Sequence, residues 1–232
     1  MLQINPIASS SQGNCYVLQE GDSMLMIECG LRLKEISQAV NFGLHDMSGC
    51  LISHMHADHS KAVKDLARLG VGCYMSKGTR EALGIKHHRI KEVEAGEQFN
   101  VGSWKVLPFE TIHDAAEPLG FLIAKGQNKI LFATDTAYIR PRFKGLTHIM
   151  VECNYHAPIL DDNIQRGAVA WAMRNRLVRS HFSLDNVLEF LKANDMSTVQ
   201  GIWLMHLSDH NSDEKMFKRK VAELVGRPVY VC

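Results

Sequence analysis

Apolar and polar positions alternate through the first half of the chain in a way that predicts strands. Residues 3–8, 14–18 and 23–28 are rich in apolar and β-branched side chains, and the turn signals Ser9-Ser10-Ser11-Gln12-Gly13 and Glu20-Gly21-Asp22 separate them. Apolar positions 33, 36, 39 and 40 have helical spacing, which predicts a helix over 33–42. Cys50-Leu51-Ile52 reads as a short buried strand running into His54, and Ala62, Val63, Leu66 and Ala67 put one apolar face on a helix over 60–69. Strands are expected again at 98–101, 104–111, 121–124 and 129–133.

The second half alternates strand and helix. Strands are expected at 147–152, 202–206 and 229–231, with helices at 163–177, 183–193 and 213–224. Ser183 stands where a helix cap belongs, with Leu184, Val187, Leu188 and Leu191 forming one apolar face behind it. Two groups of strands, each with helices, imply a layered α/β domain built on a sheet sandwich. Neither a linker nor a short-period repeat interrupts it, so residues 1–232 are expected to form a single domain.

Composition narrows the class. Of the 232 residues, 46% are hydrophobic and 22% charged, enough apolar material for a substantial core and unlike a disordered chain. Lys and Arg total 26 against 25 Asp and Glu, a net charge of +1, which does not suggest a protein that coats polyanions. No apolar run approaches the ~20 residues that span a bilayer, and the N-terminus lacks the pattern of a signal peptide. Six scattered cysteines without a Cys-x-x-Cys pair are expected as reduced, mostly buried thiols, which places the chain in the cytoplasm.

The chemistry concentrates in Ser53-His54-Met55-His56-Ala57-Asp58-His59-Ser60, where three imidazoles and a carboxylate occupy six positions between an expected strand and an expected helix. Imidazole with carboxylate suits zinc, manganese or iron, and the lack of ligating Cys argues against a structural zinc finger. Other histidines carry less. His87-His88 reads as a surface pair, and His45, His148, His156 and His210 have no spacing argument. Met24, Met26, Met55, Met150 and Met205 lie in apolar runs and read as core.

The His-x-His-x-Asp-His pattern resembles the metallo-β-lactamase superfamily. Later blocks resemble it in order, each at a strand end: Thr111-Ile112-His113-Asp114, Phe132-Ala133-Thr134-Asp135-Thr136 and Trp203-Leu204-Met205-His206-Leu207-Ser208. The resemblance implies a four-layer αββα sandwich with a binuclear metal site on one rim. It implies that His54, His56 and His113 hold one metal, that Asp58, His59 and His206 hold the second, and that Asp135 bridges. Zinc is the first choice, with manganese or iron as alternatives. Glu152, Asp114 and Thr136 are candidates to orient the ligands.

A finer resemblance is to the nuclease-like WalJ/YycJ branch, related to tRNase Z and the β-CASP nucleases. It rests on Ser9-Ser10-Ser11-Gln12-Gly13-Asn14-Cys15, His113-Asp114-Ala115, Glu152-Cys153-Asn154-Tyr155-His156, Ser180-His181-Phe182-Ser183 and His206-Leu207-Ser208. Three positions depart from the superfamily pattern. Glu28 stands where aspartate is usual, and Ala62 or Val63 and Ser180 stand where glycine is usual.

The implied chemistry is attack on a phosphodiester by a hydroxide held between two metals, with Asp58, Glu152 and His181 catalytic and His181 touching the phosphoryl oxygen or the leaving group. Arg174, Arg176 and Arg179, just before His181, are candidates for phosphate binding. The expected function is a nuclease acting on DNA or RNA, with exonuclease action at ends one option and internal cleavage the other. A cyclic-nucleotide phosphodiesterase, a lactone or thioester hydrolase and a metal-stabilised binding module are the alternatives. The partner is a nucleic acid or nucleotide phosphodiester rather than a membrane, and a homo-oligomer is compatible with it.

Overall fold

The carboxyl ends of parallel strands supply the side chains of interest, so strand direction matters more here than strand count. A computed structural model describes residues 1–232. The chain divides into two compact units, Met1–Glu110 with Ala115–Gln127, and Thr111–Asp114 with Asn128–Cys232.

The first unit begins β1 (Leu2–Ser10), β2 (Gly13–Glu20), β3 (Ser23–Ile27), α1 (Leu33–Ala39) and β4 (Met47–Leu51). It continues with α2 (Ala57–Ser60), α3 (Val63–Arg68), β5 (Cys73–Met75), α4 (Lys77–Leu83) and β6 (Ile90–Glu92). The meander β7 (Phe99–Val101), β8 (Trp104–Glu110) and β9 (Leu119–Lys125) completes it. Strands β1 to β6 form one sheet in chain order. β1, β2 and β3 are antiparallel hairpins, whereas β3 to β6 run parallel. Ile36 of α1 and Val63, Leu66 and Ala67 of α3 join Cys15, Val17, Met26, Cys50, Ile52 and Cys73 in one buried cluster. All six cysteines are free thiols and five are buried.

The second unit contains β10 (Asn128–Ala133), β11 (His148–Glu152), α5 (Ala157–Gln165), α6 (Trp171–Ser180), α7 (Leu184–Ala193), β12 (Gly201–Met205), α8 (Glu214–Val225) and β13 (Val229–Val231). β10 to β13 pair in parallel. Every residue of β11 is buried, as expected for a parallel strand covered on both faces. Register aligns Ala133 with Val151 and Glu152 with Met205, so Asp135, Glu152 and His206 leave one carboxyl edge.

Three expectations change. The helix expected over 60–69 is two short helices, parted at Ala62, whose ψ of 5° leaves the helical range. The helix expected over 163–177 is α5 and α6: α5 stops at Gln165, and Gly167 takes a left-handed φ of +74°. The run β5–α4–β6 has no counterpart in the expected elements. Met26, Met150 and Met205 are buried as expected, but Met24 and Met55 are only half-buried.

Candidate active site

In the first unit, β4 ends at Leu51 and the chain turns through Ser53 to His56 before α2 begins. His54 is buried, with Nδ1 2.8 Å from Ser53 Oγ and Nε2 3.0 Å from His56 Nδ1. The His59 ring lies 4.2 Å from that of His54, and its Nε2 is 3.3 Å from Asp58 Oδ2. The four donors of the motif therefore cluster within this unit.

Glu28 sits beneath them. It follows β3 with a left-handed φ of +63°, is fully buried, and accepts the Ser53 N–H at 3.0 Å. Its second oxygen is 3.4 Å from His59 Nδ1. Burial raises its carboxyl pKa, against the hydrogen bonds and charge of His59 and the bonds of Ser53. The longer side chain in place of aspartate thus still reaches the His54–His59 loop. A carboxylate on Nδ1 directs Nε2 toward the His/Asp cluster that could hold a metal.

Asn14 was not singled out by sequence reasoning. It is buried at the β1–β2 turn, donates to Ser10 O at 2.9 Å, and places Nδ2 3.2 Å from His59 Nε2. Tyr16 Oη donates to Asn14 Oδ1 at 3.2 Å and fixes the amide. The serine-rich opening of the chain therefore matters as the turn that aims Asn14. Its one available signal was the Ser9-to-Cys15 block itself.

In the second unit, Ile112 N–H donates to Thr136 Oγ1 at 2.9 Å, and Ala137 N–H donates to Ile112 O at 2.8 Å. These bonds hold His113 against the loop of Asp135. His113 Nδ1 is 2.9 Å from Ser180 O. A carbonyl only accepts, so Nδ1 carries the proton and Nε2 keeps its lone pair. That Nε2 is 3.7 Å from Asp135 Oδ2 and 3.3 Å from Asp114 Oδ1. Burial lowers the His113 pKa, only partly offset by Asp135 and the Ser180 bond, which favours the neutral, ligating form.

Glu152, at the end of β11, is the hub. Its Oε2 accepts Thr136 N–H at 2.9 Å and Phe182 N–H at 3.0 Å. Its Oε1 lies 2.6 Å from His181 Nδ1 and 3.2 Å from His206 Nδ1. Burial opposes its ionisation, but the charge and hydrogen bond of His181, with help from His206, outweigh burial and hold the carboxyl below its usual range. For His181 burial alone would lower the pKa, and Glu152, then Asp135, turn the shift upward. Asn154 mirrors Asn14: its Nδ2 donates to His206 O at 2.9 Å. It too escaped sequence reasoning, because it is a buried amide within a block otherwise noted for Glu152.

Asp135, Glu152, His181 and His206 are all buried, with one donor atom of each within 4.8 Å of the others. Carboxylate and imidazole in this density fit a divalent metal of the zinc, manganese or iron kind. Glu152 and His181 are drawn into that radius by their own bond. Asp135 at φ +43° and His206 at φ +52° share with Glu28 a conformation uncommon outside glycine. Strained backbone held at donor residues marks a functional edge. It coincides with the carboxyl ends of parallel strands, where α/β sheets bind ligands.

The arginines flanking His181 are less uniform. Arg174 Nε donates to Asp161 at 2.7 Å and Arg176 Nε to Asp114 at 3.2 Å, whereas Arg179 is exposed and in no ion pair. His87 and His88 pack ring to ring at 4.4 Å away from any donor cluster.

Residues 27–206 match the family profile described as "Beta-lactamase superfamily domain". The chain is 26% identical to "Exodeoxyribonuclease YycJ" of Bacillus anthracis over 242 residues, covering 97% of this chain and 89% of the relative. It is 27% identical to "Exodeoxyribonuclease WalJ" of Streptococcus pneumoniae over 227 residues, covering 90% and 83%. Among solved structures, the metallo-β-lactamase fold protein YhfI from Bacillus subtilis superposes with a TM-score of 0.74 at 14% identity, over 100% of this chain and 97% of that one. The expected α/β fold is therefore correct, and the serine-rich opening, the histidine motif and the late histidine blocks fall within the matched regions. The chain belongs to the metallo-β-lactamase superfamily, is WalJ/YycJ-like within it, and is a metal-dependent hydrolase.

Proposed function

We propose that this chain is a binuclear-metal-dependent phosphodiesterase that removes nucleotides from DNA ends. The observation that carries the reading is the buried Glu152–His181 hydrogen bond set against Asp135 and His206. A lactone or thioester hydrolase has no use for such a pair. The names of the exodeoxyribonuclease relatives support DNA as the polymer.

In this reading residues 1–232 act as one hydrolase domain. His54, His56 and His113 hold one ion, Asp58, His59 and His206 hold the other, and Asp135 bridges, with zinc the first choice. When bound, such ions supply Lewis acidity and bring the pKa of a water toward ~7. The rest is the work of side chains. Glu152 fixes the His181 ring through Nδ1 and raises its pKa, so Nε2–H is available as a donor. His181 gives that proton to a phosphoryl oxygen or to the leaving alkoxide. Glu28 orients His59 through Nδ1, Asn14 braces the loop through the Asp58 carbonyl, and Asn154 braces His206. Arg174, Arg176 and Arg179 meet phosphates beside the scissile one. Free thiols throughout support a reducing compartment, the cytoplasm.

The test is the metal-loaded protein against single-stranded DNA, RNA, a cyclic nucleotide, a chromogenic phosphodiester and a lactone. Release of mononucleotides from DNA is the expected result. Turnover of the lactone and of no phosphodiester would reject the proposal, and efficient turnover of the cyclic nucleotide alone would replace it with a small-substrate enzyme.

A further inference from the structure

Seven of the ten residues of helix α6 are exposed and only Ser180 is buried. Trp171, Met173 and Val178 are 62%, 45% and 41% exposed, three of the nine large apolar side chains that the chain exposes. The same ten residues hold Arg174, Arg176 and Arg179 and no acidic side chain. An exposed helix ordinarily has a polar outer face, so this face is made for contact.

Its layout favours a particular partner. Trp171, Asn175 and Arg179 follow at i, i+4 and i+8, which sets them along one exposed stripe. Arg174, anchored by Asp161 at 2.7 Å, lies over the Trp171 ring at 5.5 Å. One face of the indole is thereby backed by a cation while the ring stays exposed. The stripe is about 12 Å long, which matches three to four stacked nucleotides at ~3.4 Å each. It leads to the site, because Ser180 accepts from His113 and His181 caps the helix. A second exposed aromatic, Tyr138, and the exposed Arg140 and Arg142 follow Asp135, which lies 3.9 Å from His181. Arginine interleaved with aromatic side chains is the composition of a single-strand track, where bases stack and phosphates meet cations.

We infer that the exposed face of α6 is a single-strand binding track, with Trp171 stacking a base a few nucleotides from the scissile phosphate and Arg179 contacting the backbone between. The inference rests on the phosphodiesterase reading for its substrate, but binding can be measured without turnover.

The experiment measures fluorescence anisotropy of a labelled thymidylate oligonucleotide with nuclease-resistant linkages, titrated with the metal-loaded chain. Trp171→Ala is expected to weaken binding by about tenfold, within the 5- to 150-fold range that losing one stacked base implies. Trp171→Phe keeps a ring and is expected to stay within about threefold of wild type. Phe42→Ala removes an aromatic that is 70% exposed but lies outside the track, and is expected to bind as wild type. Arg179→Glu is expected to weaken binding and flatten its salt dependence by about one phosphate contact. Wild-type affinity in both Trp171→Ala and Arg179→Glu overturns the inference. So does a wild-type dimer that Trp171→Ala turns into a monomer with unchanged binding, since the face would then serve self-association. A chain that binds through Trp171 yet cleaves no phosphodiester leaves the track standing and rejects the proposed function instead.

Discussion

At the residue scale, the candidate chemistry turns on how few groups hold so many others. Both oxygens of Glu152 are occupied, by two backbone N–H groups and two imidazoles. Glu152→Ala would leave buried donors without an acceptor. Breaking a buried charged pair from one side costs about 3–5 kcal/mol. Urea unfolding should show a loss of that size, and a loss below about 1 kcal/mol would mean that water replaces the carboxylate. His181 has the opposite profile. Its ring is oriented by Glu152, and its proposed work is done at Nε2. His181→Ala should lower kcat by about 10²–10⁴-fold with metal content unchanged. Elemental analysis of the variant decides the point, since loss of an ion would make His181 a ligand.

At the element scale, the His54–His59 loop is positioned by backbone as much as by side chains. Cys29 N–H donates to His59 O at 2.8 Å, and Ala62 N–H donates to Cys29 O at 2.9 Å, so residues 28–30 clamp α2. Gly30 is in this clamp because a Cβ there would fall inside contact distance of the Asp58 carbonyl. Gly30→Ala must displace α2, and should cost about 1–3 kcal/mol and weaken metal binding. Gly72→Ala, whose nearest neighbours lie at 3.4 Å and beyond, is the matched control. Thermal melting of the two variants checks the difference. This clamp could not be read from the sequence, because it depends on a turn of β3 meeting a helix thirty residues later. Helix α7 could be read, because Ser183 accepts the Asn186 N–H and its apolar face repeats cleanly. The run β5–α4–β6 could not, since α4 buries only Thr79 and β6 only Ile90, so neither carries an apolar pattern to read. The clusters of His and Asp that could hold a metal were legible because imidazoles are rare and grouped. Asn14 and Asn154 were not, because asparagine is ordinary at turns and only burial marks them out.

At the scale of the whole molecule, metal and fold should be coupled, because the donors close the ends of strands that also carry the core. Buried carboxylates in proximity repel one another, and the Asp135–Glu152 pair stands against burial with imidazoles, two backbone N–H groups and the Thr134 hydroxyl to offset it. A divalent ion relieves that cost in the folded state and has no comparable site in the unfolded chain. Ligand held at a hundred times its Kd stabilises the native state by about 2.7 kcal/mol per site. For a chain of this size each kcal/mol moves Tm by about 2–4 °C, so one ion should raise Tm by about 5–11 °C. Chelator-treated protein titrated with zinc should therefore melt progressively higher and take up about two ions. Asp135→Asn should lose most of the gain, because the carboxylate proposed to bridge loses its charge while its size is kept. The check is differential scanning calorimetry with elemental analysis on the same samples. A Tm independent of zinc, with no uptake, would remove the metal from the account of both fold and function.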